Sequence, residues 1–100
     1  MIMEIFEQQK QYKFYASIKD GIGKISYIET KKRFRNQGIA KKVVTDFIVL
    51  CKKENISIIK INAYTKCLIF WEKLGFKVSK NPQIIDGQKQ IFHNGVYILK

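Results

Sequence analysis

The stretch Thr30-Lys31-Lys32-Arg33-Phe34-Arg35-Asn36-Gln37-Gly38-Ile39-Ala40-Lys41-Lys42 joins two kinds of periodicity, and its reading decides the fold. Before it the chain reads as β structure. Residues 13–19 and 22–29 are apolar, β-branched and aromatic, and Asp20-Gly21 separates them; that pair tolerates the positive φ of a two-residue hairpin turn. After it the period is helical. Ile39, Val43, Phe47 and Leu50 form one row and Ala40, Val44, Ile48 and Cys51 the next, while Lys41, Lys42, Thr45, Asp46, Lys52 and Lys53 face away. This predicts an amphipathic helix over about residues 38–53.

Working outward, residues 3–7 predict a strand ahead of the hairpin, and the run Ile56-Ser57-Ile58-Ile59-Lys60-Ile61-Asn62-Ala63 predicts a buried strand. A short helix over about residues 66–74 follows, stopped by Gly75 where a left-handed residue ends a helix. Residues 76–79 read as a strand closed by Asn81-Pro82, and Asn94-Gly95 predicts a turn between strands at 90–93 and 96–99. Pro82 and Asp86-Gly87 make residues 80–89 a loop. The order strand, strand, strand, helix, strand, helix, strand, strand is that of an α/β (α+β) domain: a mixed sheet of about six strands with two helices packed on it. Two helices leave part of such a sheet open, which makes a homodimer a structural expectation.

Composition bounds the rest. The 100 residues are 46% hydrophobic and 13% aromatic, with a net charge of +11 from 19 Lys and Arg against 8 Asp and Glu. One domain over residues 1–100 can bury a core without staples, and disorder is excluded by the apolar content. No apolar run reaches the roughly 20 residues of a membrane helix, and the opening residues lack a signal-peptide layout, so a cytoplasmic protein without membrane contact is expected. Cys51, Cys67 and the only histidine, His93, show no zinc-ligand spacing, and no metal site is expected.

Six basic residues lie between Lys31 and Lys42 with no acid among them. The first N–H groups of a helix lack partners and its dipole is positive there, so an anion binds with little further provision. Gly38 removes the Cβ that would hold a phosphate off the backbone, and Ala40 keeps the next turn small. The segment reads as a pyrophosphate cradle; the competing reading is an ordinary strand-to-helix turn with a solvated basic rim.

Arg35-Asn36-Gln37-Gly38-Ile39-Ala40 resembles the Q/R-x-x-G-x-G/A motif of the GNAT superfamily of N-acetyltransferases, and Phe70-Trp71-Glu72-Lys73-Leu74-Gly75-Phe76 is similar to that superfamily's F-Y-E-K-L-G-F segment. The matching portion covers about residues 25–77. The resemblance implies a GNAT fold and a site for acetyl-CoA as cosubstrate, with the amides of Gln37, Gly38, Ile39 and Ala40 around the pyrophosphate. It further implies a pantetheine arm paired with the backbone over residues 28–30 (Ile28 to Thr30), between two parallel strands that splay apart. Arg33, Arg35, Lys41 and Lys42 become candidates for the phosphates, and Asn36 and Trp71 line the same site. The implied activity is acetyl transfer to a primary amine, a protein lysine being one such acceptor.

Some residues depart from the superfamily pattern. Its usual tyrosine, which protonates the departing thiolate, falls on Trp71, whose indole N–H donates hydrogen bonds but is no acid near neutral pH. Its asparagine and alanine ahead of that tyrosine fall on Tyr64 and Cys67. Tyr64, just beyond a strand, is the candidate to donate the proton instead, against a reading in which it packs on the following helix. Glu29, at the end of the central strand, is the candidate base, against a salt bridge to Lys31 or Arg33. The resemblance also places a strand and two helices before the hairpin, where this sequence has a dozen residues. An open acceptor site suited to a large substrate follows, and His93 on the late hairpin either borders it or is half-exposed surface. The rival function class is a basic binding module on the same fold, with nucleic acid or an acidic protein as partner, since +11 exceeds what three phosphates require.

Overall fold

The computed structural model describes residues 2–64, 67–80, 83–84 and 91–99. Asp20 and Gly21 both take positive φ, 52° and 78°, and the hairpin they close joins β2 (Tyr12–Lys19) to β3 (Ile22–Thr30). Ahead of it, β1 (Ile2–Gln8) pairs antiparallel with β2. A 3-10 turn at Lys32–Phe34 then leads into α1 (Ile39–Lys53), followed by β4 (Ile58–Tyr64), α2 (Leu68–Lys73), β5 (Lys77–Val78), β6 (Gln83–Ile84) and β7 (Ile91–Ile98). The sheet order is β1-β2-β3-β4-β7-β5, with β6 on β7. All pairs are antiparallel except β3 with β4. The expected α+β architecture of two helices on a largely antiparallel sheet is therefore the observed one. Among the described residues no helix is long and apolar enough to cross a membrane.

Both helices end as their sequences dictate. After α1, Asn55 takes φ 58°, its N–H donates to the Lys52 carbonyl, and the Ile56 N–H reaches back to Cys51 at 2.9 Å. After α2, Gly75 takes φ 102°, its N–H donates to Glu72, and the Phe76 N–H donates to Trp71 at 3.1 Å. These are Schellman closures; in the second an apolar contact spans the cap, the Trp71 and Phe76 rings lying 5.1 Å apart edge to face.

Cross-strand partners share a face, so the register sorts every strand residue onto one of two faces. Phe14, Ala16, Ile18, Ile25, Ile59, Ile61 and Ala63 form the inner face and are buried under α1 and α2. From α1 the buried residues are Val43, Val44, Phe47, Ile48 and Cys51, the two rows read from the sequence, and Phe47 meets Phe14 edge to face at 5.7 Å. Tyr97, opposite Ile59 on the inner face, packs on Phe76 beyond α2, so both helices lie on one side of the sheet.

Two expectations are corrected. Asn94-Gly95 is not a turn: β7 runs straight through it, with Asn94 opposite Asn62 and Gly95 opposite Ile61. Gly95 is there because the strand passes too close to Ile61 for a side chain, an added Cβ falling 2.7 Å from its Cγ1. His93 is accordingly not half-exposed surface. It is 5% exposed on the inner face, and the Ser79 carbonyl accepts a hydrogen bond from its Nδ1 at 2.8 Å. Of the expected loop, Lys80 is an exposed bend and residues 83–84 form β6, while residues 81–82 and 85–89, with Pro82 and Asp86-Gly87, lie outside the described residues.

Gly95→Ala is expected to cost about 1–3 kcal/mol in urea unfolding, the usual penalty of overpacking a filled interior, with the circular dichroism of the native state retained. Unchanged stability would mean that β7 does not pass Ile61 at this distance.

Candidate functional site

The site begins with one extra residue. Tyr15 pairs with Tyr27 but Ala16 pairs with Ile25, so Ser26 is a bulge in β3. A bulge bends its strand and increases its twist. On the other side of β3 the consequence is separation: its parallel pairing with β4 covers only Ile22 to Ile25 against Ile58 to Ile61, although β3 runs on to Thr30 and β4 to Tyr64. The splay expected between two parallel strands therefore starts at the bulge.

The end of β3 feeds the N-terminus of α1 through a loop with two left-handed residues, Asn36 at φ 66° and Gly38 at φ 75°. Gly38 is the N-cap. It supplies no side-chain cap, the first turn contains no acid, and the first helical bond runs from the Lys42 N–H to the Gly38 carbonyl at 3.0 Å. The amides of Ile39, Ala40 and Lys41 precede that bond and have no intrahelical acceptor. A Cβ on Gly38 would find no atom within 4 Å, so the helix terminus opens onto free space.

That space is a cleft of about 1010 Å³ which joins the splay to the helix terminus. Of the residues expected to hold a cosubstrate, Ile28, Thr30, Arg35, Asn36, Gly38, Ile39, Ala40, Lys41 and Trp71 line it, as do both proposed catalytic residues, Glu29 and Tyr64. Arg33 and Gln37 are not brought to it. Arg33 instead stacks its guanidinium over Phe34 at 5.9 Å. Lys42, the further phosphate candidate, is held by Asp46 at 3.1 Å on the exposed face of α1.

The cleft passes through the sheet. Ile28 stands opposite Phe14 and Thr30 opposite Tyr12, on the helix-covered face, whereas Tyr27 and Glu29 stand opposite Tyr15 and Lys13 on the other. Tyr64 shares that second face with Phe92, their rings 4.8 Å apart. It is 40% exposed and does not pack down on α2.

Glu29 is tied at the mouth. Its carboxylate sits 3.7 Å from the Lys31 ammonium with both side chains well exposed, an ion pair of about 0–1 kcal/mol. Tyr27 stands on the same face of β3, its hydroxyl made less acidic by burial first and then by the neighbouring Glu29 carboxylate. Arg35 Nε donates to the Thr30 carbonyl at 3.1 Å, fastening the loop to the end of β3; one of five guanidinium donors is thereby committed. Cys67 lines the cleft as a half-buried thiol, while Cys51 is buried in the core and its thiol is pushed up to about 11 by burial. Among the described residues no cluster could hold a metal ion.

Sequence reasoning missed Tyr27, Phe34, Cys67 and Phe70 as cleft residues. For Tyr27 a signal existed: the inward positions step from Gly23 to Ile25 and then by three to Ile28, which is the footprint of the bulge.

Gly38→Ala is expected to lower stability by about 1 kcal/mol or slightly more through its left-handed backbone, since no atom opposes the methyl group. Equal stability in matched denaturation curves would contradict that backbone assignment.

Comparison with known proteins gives this geometry a family. A sequence profile of the acetyltransferase (GNAT) domain matches residues 1–91. A candidate acetyltransferase of Bacillus subtilis strain 168 is 31% identical over 65 residues, covering 65% of this chain and 44% of that protein; the chain thus matches less than half of that relative's length. Among solved structures, an acetyltransferase from Bacillus cereus superposes with a TM-score of 0.80 at 10% identity over 99% of this chain and 74% of its own. PaiA N-acetyltransferase from Thermoplasma acidophilum, solved with coenzyme A, gives 0.69 at 15% identity over 94% and 59%. At such identities the superpositions speak for the fold, and the profile match fixes the kinship: the chain belongs to the GNAT acetyltransferase family.

Proposed function

We propose that the cleft binds acetyl-CoA and that the protein transfers the acetyl group to a primary amine, a protein lysine among them. The observation that carries this reading is a coincidence of two features in one cleft: uncapped amides at the start of α1 and an unpaired β3 edge where the sheet splays. The residues fit the group. A diphosphate needs converging N–H donors without a competing acid, and Ile39, Ala40 and Lys41 offer them beside a glycine whose Cβ position is empty. The Lys41 ammonium and the uncommitted donors of Arg35 add charge. An amide-bearing arm needs a strand edge, and Ile28 to Thr30 provide one.

The chemistry that bound acetyl-CoA supplies is an activated acyl carbon joined to a thiolate leaving group. The chain's own residues position the partners and move protons. Glu29, at the cleft mouth, accepts the proton of the incoming ammonium directly or through a water, with the Lys31 ammonium 3.7 Å from its carboxylate. Tyr64, across the splay on the same face, donates a proton to the departing sulfur. Trp71 bounds the cleft without acid function, since an indole N–H is no acid near neutral pH, and its rings are held between Phe70 and Phe76 at 5.1 Å each. Main-chain donors at the end of β3 polarise the carbonyl and fix the angle of attack. A second reading, a catalytically weak acyl-CoA-binding module, is favoured by Trp71 standing where the superfamily's acid is expected.

Acetyl-CoA at a hundred times its Kd is expected to stabilise the fold by about 2.7 kcal/mol, seen as a rise in Tm. Gly38→Glu should abolish that rise, with Gly38→Ala as the control for backbone strain. Glu29→Gln should keep the rise and slow transfer to a lysine-containing acceptor by about 10²-fold. A full Tm response combined with unimpaired turnover in Glu29→Gln would remove Glu29 from the mechanism, and absence of any Tm response in the wild type would remove acetyl-CoA.

A further inference from the structure

Both helices lie on the inner face of the sheet, and the opposite face carries a pattern that the cleft does not need. In register across β1, β2 and β3, Phe6 stacks on Tyr15 at 4.4 Å with the rings 9° from parallel, and Tyr15 meets Tyr27 at 5.4 Å. Phe6 remains 68% exposed, so the outer end of this aromatic ladder is bare. At the other end of the strands, Ile22, Ile58 and Ile98 stand in one cross-strand row, with Ile98 55% exposed. Between the aromatic and aliphatic rows, Lys24 stands directly opposite Lys60. Neither has a carboxylate within ion-pair distance among the described residues. Like charges facing each other across a ladder are destabilising, and the described residues supply no carboxylate that offsets the pair. Counted over the strands, this face presents five lysines (13, 19, 24, 60 and 77) against Glu4 and Glu29.

We infer that this helix-free face is the docking surface for the acceptor, and that the acceptor is an acidic amphipathic polypeptide segment that presents its amine to the cleft mouth between Tyr27 and Tyr64. The inference rests on the proposed acetyl transfer and names its substrate class. The cleft opens on this face through Tyr27, Glu29 and Tyr64, two rows or about 13 Å along the strands from Lys24, so a guest anchored on the lysine pair that carries its own lysine past the aromatic row reaches Glu29 without crossing the sheet. Carboxylates of the guest answer Lys24 and Lys60, while its apolar side chains cover the rows on either side, each about 7 Å away along the strands. A second copy of this chain fits less well, because two chains of +11 would press lysine against lysine. Nucleic acid satisfies the lysines and can stack on Phe6, but the row Ile22, Ile58, Ile98 offers bases no partner. Nucleobase amines are also poor nucleophiles, since their lone pairs are delocalised into the ring.

The test is fluorescence anisotropy with a labelled helical peptide of about 18 residues, Leu along one stripe, Glu flanking it and a single Lys, titrated with the protein in the absence of acetyl-CoA. Saturable binding is expected. It should weaken with added salt and fall by about tenfold or more, the equivalent of about 1.4 kcal/mol, in the Lys24→Gln/Lys60→Gln double variant. Phe6→Ser, an exposed change on a different row, should weaken it independently. A version of the peptide with Lys in place of Glu should not bind. Affinity unchanged in the double variant, equal binding of the two peptides, displacement by a single-stranded oligonucleotide at lower concentration, or a dimer that excludes the peptide would each overturn the inference. Because docking is read without acetyl-CoA, the two readings fail separately. Docking without acetylation of the peptide lysine overturns the acceptor role alone, whereas failure to dock leaves acetyl-CoA binding untouched.

Discussion

The structure depends on a failure of pairing. β3 and β4 start as parallel neighbours, with Ile25 opposite Ile61, and stop pairing where Ser26 is squeezed into β3. Backbone groups left unpaired inside a protein are costly, so the unpaired edge beyond Ser26 persists only where solvent or a ligand can reach it. That edge, and the α1 terminus to which residues 31–38 connect it, are two sets of unsatisfied amides brought to one cleft. The proposed binding draws on what the fold leaves undone, and few side chains in the cleft are strongly held: the Glu29–Lys31 pair is loose, and Arg35 spends one donor on fastening its own loop.

What could be read from the sequence is what local rules decide. Asp20-Gly21 announced its hairpin because both residues accept positive φ, the two apolar rows of α1 announced its buried face, and Gly75 announced the end of α2. The open, acid-free start of α1 was legible for the same reason: it follows from Gly38, a run of basic residues and the absence of acid. Where packing overrides the local rule, reading failed. Asn94-Gly95 carries a strong turn signal, yet the glycine is there for Ile61 to pass. His93 was misplaced with it, because a hairpin would have turned it outward and a continuous strand turns it in. Tyr27 was missed because alternation assigns faces, and a single inserted residue reverses the assignment downstream.

The two faces of the sheet divide the chemistry. On the helix-covered face the interior is apolar and filled, and the cationic groups of the cleft, Arg35 and Lys41, are concentrated where α1 starts. On the other face Glu29, Tyr27 and Tyr64 gather at the mouth, beside an aromatic ladder whose outer end is exposed and a lysine pair that faces like charge. In the proposed reaction a thioester reaching the splay from the α1 side and an amine arriving from the opposite face would meet without sharing a path. The positive charge of the chain would serve both, drawing an anionic cosubstrate to one side and an anionic guest to the other.

The most direct measurement of the central claim is a heteronuclear NMR titration with coenzyme A that follows every backbone amide. The account predicts concerted, saturable shifts of the Ile39, Ala40 and Lys41 amides together with those over Ile28 to Thr30, and none of comparable size on β1 or at the C-terminal end of α1. Shifts confined to surface lysines, or helix-terminal amides that stay still while the ligand saturates elsewhere, would contradict it.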